Sequence, residues 1–281
     1  MLKEWFDSYN CKSIDEEFEA KREILQHIVL AALSRSDFFD HASFYGGTAL
    51  RILYGLPRYS EDIDFSLNGQ ESGFSLANYF SFIEDECKMF GLEVALSVKE
   101  KVSPNAIESA FLKDNTEWNI ITLQDKRDKM ASNVKIKVEI DRNPPLLFKT
   151  EQKLILRPFS FYVTTFEKES LFAGKMHALL YREWKTRIKG RDWYDMEWYI
   201  KKGITLDLTH LQERAWQSGH LDKNEKMTKE KLSLLLKDRI SRLDVDGAYF
   251  DAKRFVHNQS DLAIWSKQYF QDLGGMMKFK S

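Results

Sequence analysis

The stretch FYGGTALRILYGLPRYSEDIDFSL, residues 44–67, concentrates residue types that can do chemistry. Asp62 and Asp64 stand two apart in a strand-like run, which sends both carboxylates off one face while Ile63 and Phe65 take the other. Carboxylates so placed repel each other unless a cation sits between them. Mg2+ meets that need, because it takes hard oxygen ligands, commonly one or two carboxylates together with substrate phosphates. Upstream, Gly46-Gly47 permits a tight turn and close approach of a ligand, and a helix is expected straight after it. The amides and positive dipole end of that helix make an anion site, to which Thr48 adds a hydroxyl donor. A phosphate cradle beside a carboxylate pair is the equipment of metal-dependent phosphoryl or nucleotidyl transfer. Either feature alone is commonplace, but the 14 residues between Gly47 and Asp62 suffice for the short helix and return strand that would join them.

The elements that must position these residues can be read from punctuation and periodicity. Residues 15–34 repeat Phe18, Ile24, Leu25, Ile28, Val29 and Leu33 at helical spacing. A short strand should run into Tyr45, a helix from Thr48 to Tyr54, a strand from Asp62 to Leu67, and a helix from Ser75 to Phe90 closed by Gly91. Val134–Asp141 alternates cleanly, with Val134, Ile136, Val138 and Ile140 on one face and Lys135, Lys137, Glu139 and Asp141 on the other. All five prolines lie at or before Pro158, so the remainder is expected to be mainly helical. Helices are expected over Glu167–Lys185, Asp192–Lys202, Thr228–Arg242 with Thr228 as N-cap, and Leu262–Phe270, with the tail GGMMKFKS frayed. The fold class is therefore α+β: residues 1–160 a domain with a mixed sheet, residues 161–281 a helical domain.

Composition narrows the function classes. Forty-two Lys and Arg against 43 Asp and Glu argue against a general nucleic-acid coat but leave room for a local basic groove. At 43% hydrophobic and 14% aromatic the chain can build a core and is not intrinsically disordered. The longest aliphatic run, Ile28 to Leu33, falls far short of the ~20 apolar residues of a membrane helix. No secretory signal, CxxC or HExxH pattern is visible, so a cytoplasmic location with no membrane partner is expected.

GGTALR followed by RYSEDIDFSL resembles the DNA polymerase β-type nucleotidyltransferase superfamily, and more narrowly its AbiEii/AbiGii toxin branch, which includes the MenT-type toxins. That branch also carries a lysine-containing helix and a later arginine–aspartate motif, similar to AGKMHALLYR (Ala173–Arg182) and KGRDWYDMEWY (Lys189–Tyr199) here. The resemblance spans roughly residues 40–200 and implies a polymerase β-type N-terminal domain, followed by a helical domain contributing Lys175 and Asp192 to the active site. It implies transfer of a nucleoside monophosphate from an NTP to a tRNA 3′ end, a toxin role in phage defence or abortive infection, and a cognate antitoxin protein. It implies two Mg2+ ions, with Mn2+ as a substitute.

The superfamily takes a third carboxylate from a later strand. Strand parity offers Glu139 and Asp141, and Glu139 is preferred because it sits in mid-strand while Asp141 abuts the Pro144-Pro145 exit. The metal ligands are then Asp62, Asp64 and Glu139, and the phosphate-binding set is Gly46, Gly47, Thr48, Arg58, Ser60, Lys175 and Arg182. Lys175 and Arg182 lie two helical turns apart on one expected face, with Met176, Leu179 and Leu180 as the packing side. Gly174 within that helix suggests close approach of a ligand or backbone. Asp192 is expected as a helix N-cap, and the resemblance adds an active-site role for it. Trp193, Met196 and Ile200 read as core, while Asp195 and Glu197 acquire no role. Residues 175–202 hold eight Lys and Arg against four Asp and Glu, a basic segment suited to an RNA backbone. Two other readings remain open: a protein hydroxyl as acceptor, and a nucleotide- or partner-binding fold without catalysis. Retention of all three carboxylates argues against the second of these.

Overall fold

Ser13 starts the long helix of the N-terminal region. Its hydroxyl accepts a hydrogen bond from the Glu16 amide, capping α2 (Ile14–Ser34) after a short α1 (Leu2–Asp7). Ile24, Leu25, Ile28, Val29 and Leu33 are fully buried along one stripe of α2, as their spacing predicts. The computed structural model describes residues 1–71, 73–98, 107–114, 134–183 and 188–280. The chain packs into two compact units, each assembled from three segments: Met1–Ala49, Tyr59–Pro144 and Gln152–Thr165 in the first; Leu50–Arg58, Pro145–Glu151 and the chain from Phe166 in the second. The sequence reading places one boundary, near residue 160.

Seven strands form one mixed sheet in the order β3-β4-β5-β2-β1-β7-β6. They are β1 (Ala42–Tyr45), β2 (Ile63–Leu67), β3 (Val94–Val98), β4 (Ile107–Asp114), β5 (Lys135–Asp141), β6 (Thr150–Ile155) and β7 (Phe161–Phe166). β2 runs antiparallel to β1 and parallel to β5, so two strands far apart in sequence flank the DxD run. Phe44, Ile63, Phe65, Val138 and Ile140 are buried on one sheet face. Phe38, on the short α3 (Phe38–His41), meets Phe65 edge-on at 4.7 Å. The expected helix over Ser75–Phe90 divides into a 3-10 turn at Leu76–Tyr79 and α5 (Phe80–Met89), because Glu108 on β4 accepts from the Leu76 amide at 2.8 Å and fixes the entry. Gly91, at φ +74°, ends α5 as expected.

The second unit is mainly helical: α6 (Lys168–Tyr181), α7 (Gly190–Lys201), α8 (Leu208–Gln217), α9 (Lys229–Ser241), α10 (Val245–Lys253) and α11 (Lys267–Gly275). Thr228 caps α9 by accepting from the Lys231 amide, as the sequence suggests. The expected helix over Leu262–Phe270 is corrected: a 3-10 turn at Gln259–Leu262 ends, and Ser266 caps a new start for α11. The tail is not frayed. Lys278–Lys280 forms β9, parallel to β8 (Thr205–Asp207), with Phe279 opposite Leu206. α7 is buried all round, including Asp192, Asp195 and Glu197, so its carboxylates must find partners within the protein. Among the described residues no helix is long and apolar enough to cross a membrane.

Candidate active site

β1 passes straight into α4 (Gly46–Tyr54), and the junction requires glycine on two counts. Gly46 has φ +82°, and a Cβ there would lie 2.4 Å from Asp64 Oδ2. The missing side chain therefore lets the Gly46 backbone lie close against the Asp64 carboxylate. Thr48 departs from its expected role as phosphate donor. It is fully buried, and its hydroxyl donates to the Asp62 carbonyl, which fixes the backbone as it enters β2. Gln26 on α2 fastens the same approach by donating to the Ser60 carbonyl at 2.9 Å and the Glu61 carbonyl at 3.2 Å.

Asp62 precedes β2, while Asp64 lies within it, opposite Tyr45 on β1 and Glu139 on β5. Registered neighbours in a sheet share a face, so Asp64 and Glu139 stand side by side. Glu139 Oε1 also takes Lys137 Nζ at 2.6 Å and the Ser109 hydroxyl at 3.2 Å. Asp141, the alternative third carboxylate, accepts from the Asn143 amide at 3.1 Å, holding the strand's exit.

As they stand, no three or more His, Cys, Asp or Glu among the described residues gather as a ready-made metal cage. Asp64 and Glu139 nevertheless offer hard oxygen donors on neighbouring strands, and Gly46 lets Asp64 Oδ2 lie where any larger residue would clash with it, 2.4 Å from the position of a Cβ. That donor set fits an ion held by one or two carboxylates plus phosphate oxygens, which is the habit of Mg2+.

The second unit contains a chain of alternating charge. Arg58 donates through Nε and Nη2 to the two oxygens of Asp195 at 2.6 and 2.7 Å. Lys175 Nζ then bridges Asp195 Oδ2 at 2.8 Å and Asp192 Oδ1 at 2.9 Å, and Arg182 Nη1 closes the series on Asp192 Oδ2 at 2.9 Å. Arg58 is 2% exposed and Asp195 0%, so the pair is dry. Burial alone would raise the Asp195 pKa, but Arg58 and then Lys175 outweigh it and hold the carboxyl at about 2. Burial pushes Lys175 down, while Asp192 and Asp195 outweigh that and raise it above its ordinary value. Lys175 therefore stays charged at neutral pH.

Several expectations are revised here. α7 has Lys189 at its N-cap, and Asp192 lies inside the first turn with its carboxylate turned to Lys175 and Arg182. Arg182 does not share a helix face with Lys175, because α6 ends at Tyr181 and Arg182 is extended at φ −63°, ψ 124°. That turn delivers its guanidinium to the carboxylate Lys175 already holds. Arg239 of α9 fixes the turn by donating to the Leu179 carbonyl at 2.9 Å and to the Arg182 carbonyl. Arg58, expected at the phosphates, is committed to Asp195. At Gly174 an added Cβ would meet nothing nearer than the Arg214 guanidinium at 3.8 Å, so no close backbone approach explains that glycine.

Asp195, Arg239 and Gly190 acquire no role from the sequence alone. Asp195 had a signal, since it follows Asp192 by three positions and so shares its helix face. Gly190 is needed for packing, because a Cβ there would fall 1.8 Å from the Ala248 carbonyl of α10. Met176, Leu179, Leu180, Trp193, Met196 and Ile200 are buried, as expected. The basic segment is largely consumed internally: Lys201 pairs with Glu197, and Arg191 lies over the Phe255 ring at 4.0 Å. Lys185 and Arg187 lie outside the described residues.

Among solved structures, JHP933 from Helicobacter pylori is similar, with TM-score 0.53 and 18% identity over 92% of this chain and 89% of that one. A second H. pylori protein, solved as a candidate nucleotidyltransferase, gives TM-score 0.52 and 18% identity over 91% of each chain. At such identity the likeness is one of fold. A comparison with curated proteins finds no match. The model of the family described as nucleotidyl transferase AbiEii toxin, type IV toxin–antitoxin system, matches residues 28–276 and so takes in the glycine turn, the DxD run and the Lys175–Asp192 pair together. The chain belongs to the AbiEii nucleotidyltransferase toxin family.

Proposed function

We propose that the chain moves a nucleoside monophosphate from an NTP to the hydroxyl of a tRNA 3′ end and releases pyrophosphate. It does so with Mg2+, in the cytoplasm, as a phage-defence toxin restrained by a cognate antitoxin. The observation that carries this reading is the junction of Gly46 with Asp64, a helix start whose missing side chain admits the close approach of a carboxylate registered beside Glu139. Asp62, Asp64 and Glu139 are the residues that would hold the metal. Bound there, Mg2+ would supply Lewis-acid polarisation and charge neutralisation to the phosphate oxygens.

The remaining work falls to the chain's own groups. The first amides of α4, at Gly46, Gly47 and Thr48, receive phosphate oxygens at a helix N-terminus. Lys175, kept charged by Asp192 and Asp195, supplies a fixed ammonium to the developing negative charge, and Asp195 with Arg58 sets its position. Arg182, half-exposed at the end of the series, is the cation best able to leave its carboxylate for a phosphate. The test is incubation with α-phosphate-labelled NTPs and bulk tRNA, with and without Mg2+. The expected result is Mg2+-dependent label at the RNA 3′ end, removable by a 3′-exonuclease. Label that follows protein through nuclease digestion would overturn the RNA acceptor, and no label in either pool would overturn transfer itself.

A further inference from the structure

A second polar cluster lies on the other side of α6, where it packs on α8. The Arg214 guanidinium lies against α6 beside Gly174, its Cζ 3.8 Å from where a Cβ would stand. Its Nε is buried and has no hydrogen-bond partner, and no carboxylate forms an ion pair with it among the described residues. Two further polar atoms on these helices are also buried and unsatisfied: the Tyr181 hydroxyl on α6 and Nε2 of His210 on α8. His210 is 0% exposed and spends Nδ1 on the Leu146 carbonyl at 3.0 Å. Towards the surface, His177 Nε2 and His220 Nδ1 converge on the Ser218 hydroxyl at 2.9 and 2.7 Å, and His220 stacks on Tyr181 at 4.3 Å.

A buried guanidinium N–H is costly without an acceptor. Arg58, buried throughout, has Asp195, whereas Arg214, half-buried with its Nε shut away from solvent, has no carboxylate partner among the described residues. We propose that this α6–α8 cluster binds a phosphate group, with Arg214 as its central donor and the Tyr181 hydroxyl and histidine rings around it. A tetrahedral oxyanion offers oxygens in several directions, which suits donors arriving from two helices, and guanidinium binds such groups through its planar fork. The electrostatics agree. His177 is pushed down to about 3 by burial, then by Arg214, His220 and His210. His210 is likewise lowered to about 3 by burial and Arg214. Glu225 faces Tyr181, but its carboxylate is taken by Lys231 at 2.7 Å. The ligand class follows from these donors and does not depend on the transfer reaction. The phosphate could belong to a free nucleotide or pyrophosphate, or to an RNA backbone.

The experiment is an NMR titration of the histidine ring nitrogens in the full chain, with inorganic phosphate, pyrophosphate and a short RNA lacking terminal phosphates, each at constant ionic strength set by chloride. Saturable shifts of the His177 and His220 ring nitrogens are expected, with the His177 ring becoming easier to protonate because an anion favours the charged form. Arg214→Gln should weaken that binding by at least about tenfold, and Arg214→Lys, which keeps a point charge, by less. Asp64→Asn should bind as wild type does, which separates this site from the proposed reaction. Shifts with pyrophosphate alone assign a free phosphate, and shifts with the RNA assign its backbone. Rings unmoved by all three probes, shifts reproduced by chloride alone, or unchanged binding in Arg214→Gln would overturn the proposal. The wild-type titration decides even if the Arg214 variants fail to fold.

Discussion

The carboxylate junction of the first unit and the charge chain of the second use the same residue types to opposite ends. At the junction, Asp64 stands beside Glu139, which holds one cation, Lys137, on its strand, and a glycine lets the Asp64 carboxylate lie close against the start of α4. In the chain, every carboxylate is enclosed by cations: Asp195 by Arg58 and Lys175, Asp192 by Lys175 and Arg182. Like charges held together favour a cation from outside, whereas alternating charges satisfy one another and fix a shape. Substitution at the junction should therefore cost chemistry, and substitution in the chain should cost stability first.

The largest effect expected is Asp64→Asn, which should lower transfer by roughly a thousandfold or more while leaving the denaturation midpoint nearly unchanged. A folded variant with near-wild-type transfer would erase the distinction between the two regions. Asp195→Ala should behave in the opposite way and cost about 3–5 kcal/mol in urea unfolding, because it strands Arg58 in a dry site. Replacing Arg58 and Asp195 together with apolar residues of similar size should recover most of that loss, and a double variant no better than the single would contradict the ion-pair account.

Lys175 belongs to both accounts and sharpens the contrast. Its removal should cut turnover by about 10- to 150-fold, the worth of one charge-assisted contact strengthened in the transition state. The sequence reading places Lys175 and Arg182 two turns apart on one helix face, and in the structure the two meet on Asp192. A double-mutant cycle on turnover should then show a coupling of about 0.5–3 kcal/mol, and strict additivity would contradict the shared carboxylate.

The pH dependence follows from Asp195, whose folded pKa is depressed to about 2. Its contribution to stability is complete above its unfolded value of ~3.9 and is lost as pH falls from there through about 2. Asp195→Asn should remove that part of the acid dependence, as read from unfolding curves at stepped pH. Thr228→Ala should cost only about 1 kcal/mol, the loss of one helix cap far from either charge cluster.

The difference between the regions also explains what could be read from the sequence. The junction is local: Thr48 and Asp62 are 14 positions apart, and glycine, hydroxyl and DxD fall in one stretch with recognisable turn and strand spacing. Even there, Thr48 faces the wrong way for the role given it, because a buried hydroxyl takes the nearest carbonyl. Arg58 and Asp195 are 137 positions apart, and no periodicity links them. Nothing in YREW announces that α6 stops at Tyr181, so the sequence leaves Arg182 on the helix; Arg239, 57 positions on, fixes that end. The pairing of the tail with β8 depends on a strand of three residues, too short for alternation to show.

The most direct measurement is transfer of label from α-phosphate-labelled NTPs to tRNA in Mg2+, run on wild type and on Asp64→Asn protein of verified fold. The account predicts label at the 3′ end with wild type, its disappearance on chelation of Mg2+, and none above background with Asp64→Asn. Equal labelling by the two proteins would show that the carboxylate beside Gly46 does not carry the chemistry.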